Sequence, residues 1–156
     1  MSYLVPYYLT LPPKSQGPLL TCLAQDEPGV PNDTYVLDDW YCPTPNCNCQ
    51  DVVFGVRARH QGHWVAWIRW SLDPARPTAP TLDRPDEAAA YAPALLQALT
   101  PVLTGDPTWR ERCRVHYRQV KTATANPTHH AYRRLMEWAE TGGPTPVAQK
   151  RRRQRR

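Results

Sequence analysis

The chain has 156 residues, 41% hydrophobic and 21% charged, with a net charge of +5 at neutral pH. That length suits one domain with its own core, and no apolar run approaches the roughly 20 residues that a membrane-crossing helix needs, which excludes one. The charge is divided unevenly: Lys150, Arg151, Arg152, Arg153, Arg155 and Arg156 carry six of the 19 basic residues, leaving 13 basic against 14 acidic and one net negative charge for the rest.

The first 34 residues, interrupted by prolines, Gly17 and Gly29, read as irregular, except that Tyr3, Leu4, Val5, Tyr7, Tyr8 and Leu9 suit a short edge strand. Tyr35 to Tyr41 predicts a strand that leads into a cysteine-bearing turn. From Asp51 the alternation sharpens: Val52, Phe54, Val56 and Ala58 alternate with Val53, Gly55, Arg57 and Arg59. After Gln61-Gly62 the run His63 to Trp70 repeats it, with Trp64, Ala66, Ile68 and Trp70 expected on one face. This is a β-hairpin whose turn glycine permits a positive φ.

A Pro-rich connector, Asp73 to Pro85, precedes a helix expected from Asp86 to Leu103 and kinked or restarted by Pro93. A second helix is expected from an Asp106 cap with Pro107 in its first position to about Lys121, its apolar stripe being Trp109, Cys113, His116, Tyr117 and Val120. A third follows Asn126-Pro127, turns Tyr132, Leu135, Met136 and Ala139 inward, and stops at Gly142 and Gly143. The fold class is therefore α+β: a small antiparallel sheet built on the hairpin, covered by two to four helices. Residues 1–143 form a single zinc-stabilised domain in this reading, and 144–156 form a disordered basic tail.

Chemistry concentrates in Cys42, Cys47 and Cys49, three of five cysteines, on a turn rich in proline and asparagine. Thiolates so placed can face one point, as Zn²⁺ requires of its ligands. A redox pair is disfavoured, because one residue between Cys47 and Cys49 strains a disulfide. An odd cysteine count, with no basic, apolar and small-residue leader at the N-terminus, points to the reducing cytoplasm. A structural zinc site wants a fourth ligand, for which Cys113 and His116 compete from the inner face of the second helix. His60 and His63 flank the hairpin turn, about 25 Å from the strand start that follows Cys49, too far to serve.

The run Tyr41, Cys42, Cys47, Asn48, Cys49, Val52 and Val53, with Arg114, His116, Tyr117, Val120 and Lys121 later, resembles uncharacterised bacterial proteins. Those carry a Tyr-Cys, four residues and a Cys-x-Cys leading into a strand, and some also bear a SEC-C zinc motif. This chain departs from the SEC-C pattern proper, a Cys-x-Cys followed shortly by Cys-Cys or Cys-His, and ends in basic residues instead. The resemblance implies a zinc-binding module with no activity attached.

A closed zinc site argues for folding rather than catalysis, so no catalytic residue is assigned. The leading expectation is a non-enzymatic, zinc-stabilised cytoplasmic binding protein. It contacts nucleic acid without sequence preference through the tail and the helix bearing Arg110, Arg114 and Arg118. The exposed members of the Trp64, Trp67 and Trp70 set would stack on bases. An acidic protein partner is the other binding expectation, and the oligomeric state stays open. The alternatives are a protein-interaction module, or a metal-dependent phosphodiesterase built on Asp38, Asp39 and Asp51 near His60 and His63.

Overall fold

A computed structural model describes residues 2–76 and 78–143. The strands are β1 (Val5–Pro6), β2 (Leu20–Ala24), β3 (Asp33–Tyr41), β4 (Asp51–Ala58), β5 (Trp64–Ser71) and β6 (Thr81–Asp83), all in one antiparallel sheet. Its order is β1-β3-β4-β5-β6, with β2 also on β3. β1 and β2 share one edge of β3: β1 pairs with Trp40 and Tyr41, and β2 with Asp33 through Leu37.

The alternation read from the sequence decides which face each side chain takes. Leu37 opposes Val56, Phe54 opposes Ile68 and Val52 opposes Trp70, and all six are at most 4% exposed. Burying a side chain such as Phe54 contributes about 1.5–3 kcal/mol. The other face carries Trp40, Val53, Gly55 and Trp67, with Trp64 added through an irregularity in the register. The ladder shifts between Val56 and Arg57, so that Val56 pairs with Ala66 while Arg57 pairs with Trp64. Val65 is the extra residue. It enters the core, and Trp64 turns to the opposite face, against Trp40 and Trp67. The expectation that Trp64 shares a face with Ala66 is thereby corrected.

Two strands lie where the sequence reading saw irregular chain. β2 has a half-exposed composition with Leu23 72% exposed, and β6 is three residues at the far edge. Neither has enough alternation to stand out, and both owe their form to a neighbour's unpaired backbone.

The helices are α1 (Ala92–Gly105), α2 (Pro107–Ala125) and α3 (Tyr132–Thr141). With the sheet they make the expected α+β architecture. α1 starts later than the sequence suggests: Pro85–Glu87 is a short 3-10 turn after a left-handed Arg84 with φ of 51°. Pro93 falls in the first turn of α1, where its missing N–H costs nothing, so it opens the helix instead of kinking it. One contiguous cluster joins the inner sheet face to Leu95, Leu99 and Leu103 of α1, Cys113, Val120 and Ala123 of α2, and Leu135 and Ala139 of α3. The tail expected over 144–156 lies outside the described residues.

α2 begins as expected. Asp106 accepts from Thr108 N–H at 2.9 Å, with Pro107 in the first turn. Hydrogen bonds from Thr108 hold the Asp106 carboxyl below the ordinary aspartate range. A depressed carboxyl contributes stability above its unfolded pKa and loses it as pH falls through the folded value. Asp106→Asn, which can still cap, should therefore flatten the acid limb of the stability curve below about pH 4. Melting temperatures from pH 2 to 7 read this directly, and an unchanged acid limb contradicts it.

Candidate metal centre

β3 delivers Cys42 directly from Tyr41, and residues 42–50 then turn back into β4. Cys47 N–H donates to Thr44 carbonyl oxygen at 3.2 Å, closing a tight turn. Gln50 adopts a left-handed φ of 46°, and its carbonyl accepts from Leu72 N–H at 2.7 Å, so the end of the loop is fixed to the chain leaving β5. The proline and asparagine content thus yields a return that gathers the three cysteines. Their sulfur atoms all lie within 4.8 Å of one another. Two thiolates on one tetrahedral Zn²⁺ sit about 3.8 Å apart at Zn–S bonds of about 2.3 Å, so small rotamer changes suffice to close the set on an ion. Among the described residues, these three can hold a metal ion.

α2 supports the loop from one side. Lys121 Nζ donates to Thr44 carbonyl oxygen at 2.5 Å, and Tyr117 hydroxyl donates to Cys47 carbonyl oxygen at 3.1 Å. The two residues are one helical turn apart and lie together, with Lys121 Nζ 5.2 Å from the Tyr117 ring centre. Burial pushes the Cys42 thiol up, but hydrogen bonds from Thr44, the nearby positive charge of Lys121 and a hydrogen bond from the Cys47 thiol outweigh it and bring it below the ordinary thiol value. Cys49 moves the other way, raised by burial and then by the charge of Cys42 and the Cys47 thiol. Of the two, Cys42 gives up its proton more readily. A cation supplies what the other thiols lack, because metal coordination deprotonates them outright.

The structure does not bring Cys113 or His116 into this group. Cys113 is fully buried, and burial, with the nearby Asp39 charge, pushes its thiol up to about 12, so it stays protonated and packs as a small apolar group. His116 Nδ1 lies 2.6 Å from Asp39 Oδ2, and its ring stacks on Tyr7 with centroids 3.5 Å apart and planes 5° from parallel. The clamp expected between loop and helix exists, but Lys121 and Tyr117 form it by hydrogen bonds to backbone carbonyls. Sequence spacing carried no sign of that, since any donor on α2 can reach a carbonyl.

Compared with protein-family models, curated proteins and solved structures, the chain matches none.

The carboxylates considered for phosphodiester cleavage are dispersed. Asp38 pairs with Arg57 at 3.0 Å on the tryptophan face, and Asp39 points the opposite way to Tyr41 and His116. Asp51 pairs with Arg69 at 3.0 Å. His60 Nδ1 is 2.6 Å from Asp33, and His63 Nδ1 is 3.2 Å from the Gln61 carbonyl oxygen. Each is already engaged with a neighbour in the chain.

Of the basic residues expected to meet nucleic acid, Arg110 donates to the Ser71 and Asp73 carbonyl oxygens, both at 3.0 Å, and covers the Trp70 ring. Arg114 donates to Leu72 carbonyl oxygen at 3.1 Å and to Glu111 at 3.2 Å. These two tie α2 to the end of β5. Arg118 stays 64% exposed, 3.9 Å from Glu111. Lys150, Arg151, Arg152, Arg153, Arg155 and Arg156 lie outside the described residues. Trp70 is buried on the core face, which leaves only Trp64 and Trp67 of the tryptophan set partly open to solvent.

Proposed function

We propose that Cys42, Cys47 and Cys49 bind zinc, and that the protein is a zinc-stabilised binding protein of the cytoplasm rather than an enzyme. The observation that carries this reading is the approach of three sulfur atoms to within 4.8 Å of one another on one turn. Soft thiolate donors select zinc over magnesium or calcium, and the resemblance to zinc-cluster proteins points the same way. Zinc takes four ligands, so a donor atom of the binding partner fills the position that neither Cys113 nor His116 reaches and closes the site.

The partner in this reading is nucleic acid, met through the phosphate backbone by the basic tail and Arg118. A cavity of about 480 Å³ beside the loop supports the placement: Asn48 and Gln50, the two neighbours of Cys49, line it with Tyr117, Arg114 and Arg118. A phosphate entering there meets Arg118 next to the loop, Arg114 being held by the Leu72 carbonyl oxygen and Glu111.

Elemental analysis of the purified chain is expected to give one zinc per chain, lost in the Cys42→Ser, Cys47→Ser and Cys49→Ser variants and kept in Cys113→Ala. Zinc retained by all three serine variants would remove the site. Oligonucleotide titrations of the full chain and of a chain ending at Gly143 test the partner. Six tail charges predict a log K against log salt slope of about −4 to −5. The same affinity and slope without the tail would refute tail-mediated contact.

A further inference from the structure

The Asp39–His116 pair is not used by the metal centre, and it lies against a second cavity. About 290 Å³ in volume, this cavity is walled by Tyr7, Leu11 and Leu19 and edged by Ser15, Arg112 and His116, with Asp39 at its base. Its construction begins in β3, where Tyr35, Leu37, Asp39 and Tyr41 alternate onto the inner face. Asp39 is the one charged residue of that row, and it is only 4% exposed. As a carboxylate it accepts from Tyr41 hydroxyl at 2.7 Å and meets His116 Nδ1 at 2.6 Å, both on Oδ2. A buried carboxylate is kept only where such partners satisfy it.

That contact fixes the orientation of His116. Nδ1 is turned inward to Asp39, Tyr7 covers one ring face at 3.5 Å, and the side chain keeps 15% of its surface open. Nε2 makes no hydrogen bond to any described residue, and the His116 side chain lines the cavity. Arg112 stands one helical turn earlier on the same side of α2, above the Trp109 ring at 5.1 Å. Among the described residues it makes no ion pair, since the adjacent Glu111 is taken by Arg114 and Arg118. A guanidinium without a counter-ion and an imidazole held from behind by a carboxylate therefore edge one small cavity.

We infer that this cavity is a binding site for a small oxyanion, the phosphate or carboxylate group of a small molecule, held between the Arg112 guanidinium and His116 Nε2–H. An imidazolium donates from both ring nitrogens, so Nδ1–H stays on Asp39 while Nε2–H points at the ligand. Charge-assisted bonds from both donors are stronger than neutral ones, and the guanidinium fork suits two oxygens at once. The Ser15 hydroxyl is a third donor at the rim, while Leu11 and Leu19 accept the apolar remainder of the ligand. Nothing here requires the metal.

The groups facing His116 are Asp39 from β3, Tyr7 and Ser15 from the two N-terminal 3-10 turns, and Arg112 from its own helix.

The test is a titration of the full chain, followed by NMR of the histidine rings, with inorganic phosphate in one arm and acetate in the other at constant ionic strength. Saturable shifts of the His116 ring are expected in at least one arm, and the stronger arm names the ligand class. Arg112→Ala, at an exposed position, should keep the parent's melting curve and weaken binding at least tenfold. Arg118→Ala should bind as the parent does. No saturable shift in either arm overturns the site. So does parental affinity in Arg112→Ala, and so does an equal loss in Arg118→Ala, which would reduce the effect to general charge.

Discussion

Removing the metal from the full chain with a strong chelator is expected to lower its melting temperature by on the order of 10 °C, because a structural zinc site contributes several kcal/mol at least. The loop from Cys42 to Gln50 has no apolar core of its own: Cys49 and its neighbours are exposed, and the loop's ties to α2 are Lys121 and Tyr117 on two carbonyl oxygens. Two such bonds contribute about 1 kcal/mol each. Burial, and after it the neighbouring Cys42, pushes the Cys49 thiol up, and a cation among the three sulfur atoms removes that opposition to deprotonation. Restoring zinc should restore the midpoint, and each of Cys42→Ser, Cys47→Ser and Cys49→Ser should abolish the response to chelator. Cys113→Ala should lower stability by leaving a small cavity while keeping the full response. A chain that melts at one temperature with and without chelator would remove zinc from the account of its stability.

The second large effect concerns the other face of the sheet. Gly55 sits in β4 between Asp38 and Trp67, and a Cβ there would lie 2.6 Å from Trp64 Cζ3, 2.8 Å from Trp67 Cζ3 and 3.0 Å from Trp40 Nε1. β4 is bonded on both sides, to β3 and β5, so its backbone cannot recede to make room. Gly55→Ala is therefore expected to cost about 1–3 kcal/mol and to lower the melting temperature by about 3–10 °C. Trp64, 37% exposed and at the bulged start of β5, should give way first. Tryptophan emission then shifts to the red as that ring enters water. Unchanged emission and an unchanged midpoint would contradict the packing. Trp40 is anchored more deeply, 7% exposed and edge-on to Trp64, Trp67 and Trp138.

How much was legible follows from which signals are local. The hairpin of β4 and β5 was legible because alternation through β4 and from Ala66 onward in β5 admits one inner face, and it failed only at Trp64, where the ladder shifts by one residue. The start of α2 was legible because a cap and an N1 proline act within three residues. The start of α1 was not, since Asp86 and the alanines after it suit a helix locally, while Ala89 N–H is taken by the Val65 carbonyl oxygen at 2.9 Å. A backbone partner from another element outweighed propensity. β2 and β6 exist because β3 and β5 offer edges to pair with.

The candidate site divides along the same line. Cys42, Cys47 and Cys49 lie within eight residues on a tight turn, so their meeting depends on local geometry that composition already implies. His116 carried two readings that spacing along the chain cannot separate, ligand or hydrogen-bonded histidine, because β3 presents both Cys42 and Asp39 to α2. The sign that pointed to Asp39 was present: it is the one acid among the inward positions of an otherwise apolar strand face.

By itself the amino-acid order determined the periodicities, the helix cap, the thiol cluster and the concentration of positive charge at the C-terminus, since each depends on residues within a turn or two of one another. Only the tertiary structure decided that Asp39 rather than zinc claims His116, that Arg110 and Arg114 face the protein's own carbonyls, and that Val65 displaces Trp64 from the core face. Those outcomes depend on distances between groups 30 to 80 positions apart or on strand register, and the packing of α2 across the sheet sets most of them.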